Sequence, residues 1–228
     1  MSSLQQKIVR RFRSLFGLHT PIISHGEKGI KEVGHRRYVG GMWEEIGKLQ
    51  FDFLVDQGMK PEHVFLDVAC GSLRAGVHVI PYLNAGNYQG IDKEASLIEQ
   101  GIKEELGETL NVEKQPEFVV SDAFEFERFS KPADYAIAQS LFTHLPPAII
   151  HQCFQKLRPA FSPEGSFYAT YFLPRKGSVN PKKAHDHGIF RYTKEEIIAF
   201  GTDNGWQADF IGDWNHPRNQ IIVRYFIN

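Results

Sequence analysis

The stretch VFLDVACGSLRAG, residues 64–76, has the pattern of a buried strand that runs into a turn of small residues and then a helix. An acidic residue, Asp67, stands near the end of the strand. In an open α/β sheet, ligands bind in the crevice beyond the carboxyl ends of the strands, and this first turn borders that crevice. The segment therefore predicts an α/β protein with a ligand site at the turn.

Strand-like and helix-like segments alternate along the chain, which is typical of a mainly parallel sheet with helices on both faces. The strand candidates cover residues 64–68, a segment that ends at 90–92, and residues 118–120, 135–137, 167–172, 207–211 and 221–226. The helix candidates cover residues 43–54, 73–82, 94–106 and 147–157. A last helix is capped by Thr193, with Glu196 as its capping-box partner.

The last two strand candidates are joined by a short polar connection that cannot hold a crossover helix. Strands joined in this way pair antiparallel, whereas parallel neighbours need a longer crossover. The predicted fold class is therefore α/β, with a seven-stranded, mainly parallel sheet that carries an antiparallel strand at its C-terminal end.

A second carboxylate, Asp92, ends the next strand and lies 21 positions after Gly71. A carboxylate at this place can accept hydrogen bonds from both hydroxyls of a ribose, which indicates a nucleoside-containing cofactor. A dinucleotide site requires Gly-x-Gly-x-x-Gly, but the second glycine position is Leu73, which we expect to crowd a pyrophosphate. Asp67 would repel a pyrophosphate, whereas it favours the cationic amino group and sulfonium of S-adenosylmethionine.

The segment 64–76 resembles motif I of class I S-adenosylmethionine-dependent methyltransferases, and its wording CGSLRAG is similar to a bacterial branch of small-molecule methyltransferases. The resemblance spans about residues 35–226 and departs from the broad family at Ala69 and Leu73, where the general pattern has glycines. Further matching motifs are GID at 90–92, SDA at 121–123, QSLFTHL at 139–145 and the helix over 43–50. The resemblance implies a Rossmann-like methyltransferase fold and methyl transfer to an O or N atom of a small-molecule acceptor.

The resemblance also implies a set of residues that bind S-adenosylmethionine. Asp67 and Gly71 would surround its methionine part, Asp92 would bind the ribose, and Asp122 with the backbone of Ala123 would hold the adenine. The remaining implied cofactor-binding residues are Ala69, Arg74, Lys93, Phe124, Gln139 and Ser140, with Tyr38 and Trp43 as an aromatic lid.

Three residues in or near this set also have a simpler structural interpretation. Arg74 is expected to pair with the cofactor carboxylate, but it also fits a solvated helix arginine. Trp43 fits core packing as well as a lid. Cys70 is interpreted as a small loop residue, because methyl transfer from a sulfonium needs no protein nucleophile.

His144, which follows the fourth strand, is the candidate general base. The alternative is that it only caps the next helix or packs against the cofactor. The long insertion over residues 174–190 contains His185-Asp186-His187, but two histidines one residue apart are a weak metal signal. We therefore expect no catalytic metal and interpret the insertion as a lid over the acceptor.

Composition narrows the choice of partners. The 26 basic and 27 acidic side chains give a formal charge of -1, so nucleic acid is not an expected partner. Two cysteines are too few for a disulfide framework, and no apolar run is long enough to cross a bilayer. We expect a cytoplasmic protein, as a monomer or a homodimer.

Residues 1–41 are predicted to form a basic amphipathic helix over 4–16 and then a loop or lid segment over 19–41, ahead of a single methyltransferase domain over 42–228. A basic amphipathic helix is compatible with a membrane surface, and packing on its own domain or on a second subunit is the simpler alternative. Two other functions stay open: an NAD(P)-dependent oxidoreductase, and a scaffold that binds the cofactor without catalysis.

Overall fold

The computed structural model describes residues 23–186 and 188–227. The helix expected over residues 4–16 lies outside the described residues, as does His187. Within the described ranges, no helix combines the length and the apolar character that spanning a bilayer requires.

One seven-stranded sheet organises the chain, with the strand order β3-β2-β1-β4-β5-β7-β6. β7 runs antiparallel to both of its neighbours, and the pairs among β1 to β5 are parallel. The fold class predicted from the sequence is therefore confirmed. The strands are β1 Phe65–Val68, β2 Tyr88–Asp92, β3 Glu117–Val120, β4 Ala133–Ala138, β5 Phe161–Tyr171, β6 Gln207–Asp213 and β7 Ile221–Phe226.

Helices flank the sheet on both faces. The α-helices are α1 Gly26–Val33, α2 His35–Tyr38, α3 Trp43–Asp56, α4 Gly76–Tyr82, α5 Ala95–Gln100, α6 Glu108–Lys114, α7 Pro147–Leu157 and α8 Lys194–Thr202. A π-helical segment, Gly101–Leu106, continues α5, and the capping box at Thr193 is present as predicted. Short 3-10 turns cover Phe126–Arg128 and Arg158–Ala160.

Two apolar clusters, one on each face, form the core. Along β1, Phe65 belongs to one cluster, whereas Leu66 and Val68 belong to the other. This alternation follows from the two-residue period of a strand. The first cluster includes side chains from α3, α4 and α5, and the second includes side chains from α7 and α8. Both faces of the sheet are thus covered, and its carboxyl edge is left for a ligand.

The turn after β1 is held in an unusual backbone conformation. Ala69, Gly71 and Leu73 have φ of 64°, 54° and 67°. The two positions where the resembling family has glycines therefore keep the conformation that a glycine would adopt, at a cost of roughly 1–2 kcal/mol for each L-residue. Phe124 and Ser140, which follow β3 and β4, have φ of 55° and 62°. The strain is concentrated at the edge where α/β proteins bind ligands.

The expected loop over residues 19–41 is wrong over most of its described part, because α1 and α2 occupy it. These helices are short, and α1 contains two glycines, so local helix propensity does not indicate them. Long-range contacts stabilise them instead. The carboxylate of Glu105 accepts hydrogen bonds from His35 at 2.5 Å and from Arg36 at 2.6 Å.

Candidate functional site

A cavity of about 650 Å³ opens at the carboxyl ends of β1 to β4. The turn after β1 forms its floor, the ends of β2 and β3 form one side, and the segment after β4 forms the other. Most of the predicted site residues line it, namely Tyr38, Asp67, Ala69, Gly71, Arg74, Asp92, Lys93, Asp122, Phe124, Gln139, Ser140 and His144.

Two buried carboxylates lie on the cavity floor. Asp67 accepts a hydrogen bond from the hydroxyl of Tyr88 at 2.9 Å. Asp92 accepts from the backbone N–H groups of Gly71 and Glu94, each at 2.9 Å. Burial raises the pKa of Asp67 to about 7; the Tyr88 hydrogen bond opposes this shift, and the negative charge of Asp92 adds to it. Burial likewise raises the pKa of Asp92, against the two N–H donors.

A buried cation lies beside these carboxylates. Arg74 donates from Nη1 to the carbonyls of Val39 at 3.1 Å and Gly41 at 3.2 Å, and from Nη2 to the side-chain oxygen of Gln139. Its Nε is buried without a hydrogen-bond partner among the described residues. Burial lowers the pKa of Arg74 to about 10, and the charge of Arg218 contributes. The alternative of a solvated helix arginine is therefore wrong, since Arg74 is 9% exposed.

A chain of polar side chains holds Gln139 in place. Its Nε2 donates to the ring of His216 at 3.1 Å and to the hydroxyl of Ser140 at 3.0 Å. The backbone N–H of Ser140 donates to Thr170 at 2.8 Å, and the Thr170 hydroxyl donates to Gln220 at 2.7 Å. Burial and two neighbouring arginines lower the pKa of His216 to about 4, so its ring is neutral at pH 7.

Residues 26–41, called the cover segment below, close over the mouth of the cavity. Asp186 of the insertion accepts hydrogen bonds from the Tyr38 hydroxyl at 3.0 Å and from Lys93 Nζ at 2.6 Å, and it lies 3.0 Å from Nδ1 of His25. Burial opposes ionisation of Asp186, but the hydrogen bonds from Lys93 and His25 outweigh it and keep its pKa below the usual value. One carboxylate therefore joins the cover segment, the end of β2 and the insertion.

His144 anchors the other end of the insertion. Its Nδ1 donates to the carbonyl of Gly188 at 2.6 Å, and its own carbonyl accepts from the backbone N–H of His185 at 3.1 Å. Since Nδ1 carries the proton in this contact, the lone pair of the neutral ring lies on Nε2. The histidine thus combines a wall position in the cavity with a fixed tautomer.

The structure does not bring two predicted residues to the cavity. Trp43 is 7% exposed and packs with its ring 5.9 Å from that of His35 and 5.0 Å from the guanidinium carbon of Arg36. It is a packing residue, and the lid interpretation is wrong for it. Ala123 does not line the cavity, and its backbone N–H donates to the hydroxyl of Ser121 at 3.1 Å.

The expected role of Leu73 is also wrong. Its side chain is fully buried in the apolar cluster of α4 and α5 and does not line the cavity. Leu73 therefore would not crowd a pyrophosphate. What disfavours an anion at this turn is the carboxylate of Asp67.

Sequence reasoning missed Gln50 and Arg218 as residues of the cavity wall, and it placed Asp186 only in the lid insertion. Gln50 had a usable signal, because it is a polar residue on the apolar stripe of α3 and it is 2% exposed. Asp186 and Arg218 come from segments distant in sequence, so only the fold brings them to the site.

Both cysteines, Cys70 and Cys153, are buried free thiols, and burial raises their pKa values. A protonated, buried thiol is a poor nucleophile, which agrees with Cys70 as a small loop residue. Among the described residues, no group of three or more His, Cys, Asp or Glu side chains is arranged to hold a metal. His187 lies outside the described residues, so the absence of a catalytic metal stays a prediction.

No protein-family model matches the chain. Solved structures of methyltransferases share its fold at low sequence identity. A magnesium protoporphyrin IX methyltransferase from Synechocystis PCC 6803 with bound SAM is 17% identical, with a TM-score of 0.59 over 97% of this chain and 96% of that chain. The glycopeptide N-methyltransferase MtfA complexed with S-adenosyl-L-homocysteine is 11% identical, with a TM-score of 0.61 over 80% and 90%.

An O-methyltransferase family protein from Burkholderia thailandensis is 12% identical and has a TM-score of 0.63, over 86% of this chain and 60% of that chain. At such identities the likeness establishes the fold alone. The chain has the Rossmann-like fold of these methyltransferases, as the sequence motifs predicted.

Replacing Asp186 by Ala should loosen the cover segment, because His25, Tyr38 and Lys93 lose their shared carboxylate. We expect amide hydrogen exchange in residues 26–38 to accelerate by about tenfold, which corresponds to the loss of roughly 1.4 kcal/mol from a charged hydrogen bond. Asp203→Ala, at an exposed helix end without a salt bridge among the described residues, is the matched control. Equal exchange in both variants would contradict the role given to Asp186.

Proposed function

We propose that this chain is an S-adenosylmethionine-dependent methyltransferase that acts on an O or N atom of a small-molecule acceptor. The observation that carries the proposal is the presence of a buried carboxylate, Asp67, and a buried guanidinium, Arg74, in the lining of one cavity. A free amino acid group carries the complementary charges, an ammonium and a carboxylate. Asp92, at the end of the neighbouring strand, adds the carboxylate that a ribose requires.

The residues present fit this cofactor by a test that is independent of the resemblance. Arg74 has a buried Nε without a partner among the described residues, and no described carboxylate forms a salt bridge with its guanidinium. A buried, unpaired donor on a cation is unfavourable unless a ligand satisfies it. The carboxylate of the methionine moiety would compensate the charge of this guanidinium, with Arg218 nearby.

The rest of the cofactor is assigned by position. Asp67 would hold the amino group, Asp92 the ribose hydroxyls, and Asp122 and Phe124 the adenine. Lys93 is committed to Asp186, so it would act through the cover segment. Gln139 and Ser140 would lie beside the methionine moiety, where the polar chain described above fixes them. Tyr38 would close the cavity from the cover segment.

When bound, S-adenosylmethionine supplies a methyl group whose bond to sulfur breaks, with the electron pair going to sulfur, as the acceptor's lone pair forms the new bond. The protein's work is to hold the acceptor in line and to exclude water. If the acceptor is a hydroxyl or an ammonium, its proton must leave. His144, a residue of the cavity wall whose ring is oriented by the contact of Nδ1 with Gly188, is the group that we propose takes this proton.

The alternatives explain the cavity less well. A dinucleotide would bring a pyrophosphate to the turn that carries Asp67, and like charges at a buried site repel. A scaffold that only binds the cofactor has no use for the part of the cavity that follows β4. That part has His144 in its wall. The division of the chain at residue 42, the cytoplasmic location and the monomeric or dimeric state stay predictions.

Calorimetric titration should detect S-adenosylhomocysteine binding and no binding of NADH. In Asp92→Asn, which keeps the size of the side chain, affinity should fall by about tenfold to a hundredfold, since hydrogen bonds to a charged group contribute roughly 1.5–3 kcal/mol. Asp213→Asn, on the exposed edge strand β6, serves as the matched control and should bind like the wild type. Tight NADH binding without S-adenosylhomocysteine binding would overturn the proposal.

The affinity for S-adenosylhomocysteine should depend on pH through Asp67. Because its pKa in the free protein is about 7, the carboxyl must release its proton before it can pair with an ammonium. Affinity should therefore rise between pH 6 and pH 8 and level off above, with a slope of up to about tenfold per pH unit below the pKa. Asp67→Asn should bind more weakly and lose this rise; an unchanged pH profile would remove Asp67 from the amino-group site.

The variant His144→Gln tests whether His144 is the general base. Turnover of an accepted substrate should fall by roughly a hundredfold or more, in the range of general-base assistance, while the affinity for S-adenosylhomocysteine stays unchanged. If turnover and its pH dependence match those of the wild type, His144 is a packing residue.

A further inference from the structure

The half of the cavity that the proposed cofactor does not need is apolar. It is formed by residues that follow β4 and β5. In the strand order these strands lie on the other side of β1 from β2, which carries the ribose carboxylate Asp92. Its apolar wall residues are Leu141, Leu145, Ile149, Phe172 and Ile189. An acceptor that fills this half gains free energy from burying apolar surface.

The insertion, which contributes Ala184, His185, Asp186 and Ile189 to the cavity lining, is rich in basic residues. The insertion and the residue that follows it contain five basic side chains, Arg175, Lys176, Lys182, Lys183 and Arg191, and a single acidic one, Asp186. Asp186 is already paired with Lys93 and His25. The positive charge of the insertion therefore has no further carboxylate within the insertion to compensate it.

Arg191 is the cation that the structure holds most firmly. Its backbone N–H donates to the side chain of Asn180 at 2.8 Å, and its backbone carbonyl accepts from the same side chain at 2.9 Å. Its guanidinium lies 5.0 Å from the ring centre of Phe172, a wall residue, and donates to the carbonyl of Leu173 at 3.0 Å. The guanidinium is thus fixed against an aromatic wall of the acceptor half.

A second cation lies close to Arg191. Burial lowers the pKa of the Arg191 guanidinium, and the charge of Arg175 contributes to the shift. Among the described residues, neither arginine takes part in a salt bridge. A second positive charge near the Arg191 guanidinium, which lies against the wall residue Phe172, favours a bound anion, since the anion relieves the repulsion and pairs with a guanidinium.

We propose that the methyl acceptor is an amphipathic anion, with an apolar body that fills the half-cavity after β4 and β5 and an anionic group that pairs with Arg191 and Arg175 at its mouth. This inference rests on the proposed function, because it assigns the other half of the cavity to the cofactor. It adds the class of acceptor and names the two residues that select it.

The test uses two probes of the same shape, 2-naphthoate and the neutral 2-naphthamide, titrated calorimetrically into the full chain saturated with S-adenosylhomocysteine. We expect naphthoate to bind at least about tenfold more tightly than naphthamide. Arg191→Gln should lower naphthoate affinity by about tenfold, the range of one hydrogen bond to a charged group, and should leave naphthamide affinity unchanged.

Arg175→Gln keeps the test valid if the Arg191 variant does not fold, because the Arg175 side chain makes no recorded contact in the described part of the chain; it should weaken naphthoate binding in the same direction. Lys103→Gln, an exposed cation of the π-helical segment and not of the insertion, is the control and should bind both probes like the wild type.

The outcomes separate the two proposals. If S-adenosylhomocysteine binds but the probes bind equally, or neither binds, the acceptor class is wrong and the proposed function stands. If S-adenosylhomocysteine itself does not bind, the proposed function fails first. Vesicles of phosphatidylcholine and phosphatidylglycerol in equal parts provide a third arm: co-sedimentation that requires Arg175 and Arg191, without naphthoate binding, would make this surface a membrane contact and overturn the inference.

Discussion

The site depends on the burial of two opposite charges, Asp67 and Arg74, at the turn after β1. Each is costly to bury alone, and neither is satisfied by a salt bridge to the other among the recorded contacts. Asp67 has one hydroxyl donor, and Arg74 has two backbone carbonyls and one amide as acceptors. Both residues line the cavity, and the Nε of Arg74 has no partner among the described residues. A zwitterionic ligand satisfies both at once, which is why we give the site to the amino acid end of S-adenosylmethionine.

The same interactions tie the cavity to its surroundings. Arg74 links the turn to the cover segment and to Gln139, and Asp186 links the cover segment to β2 and the insertion. A glycine makes the approach of the cover segment feasible, since a Cβ at Gly71 would lie 3.1 Å from a methyl carbon of Val39. Closure of the cavity and recognition of the charged ligand therefore share residues, so ligand binding and ordering of the cover should be coupled.

Local patterns in the sequence predicted the sheet, because buried strands, capped helices and the short β6–β7 connection leave clear signals. They also predicted Asp67 and Asp92, because each carboxylate ends a strand whose neighbour in the sheet follows from the fold. They did not predict the short helices α1 and α2, since long-range contacts hold them: Glu105 binds His35 and Arg36 of α2, and the Tyr38 hydroxyl accepts from the first residue of α1. Nor did they predict Arg218 in the cavity wall or the contacts of Asp186 with Tyr38 and Lys93, since no local period connects these segments. The predictions for the side chains of Trp43 and Leu73 were wrong for a related reason. The sequence gives the spacing of residues, but it does not give the direction in which a side chain points.

A crystal structure of the chain grown with S-adenosylhomocysteine tests the central claim most directly. We predict that the ligand occupies the cavity with its amino group within hydrogen-bond distance of Asp67, its carboxylate beside Arg74, and its ribose hydroxyls on Asp92. A ligand bound elsewhere, or one whose amino group points away from the Asp67 carboxylate, would contradict the assignment of these two buried charges to the ends of one amino acid.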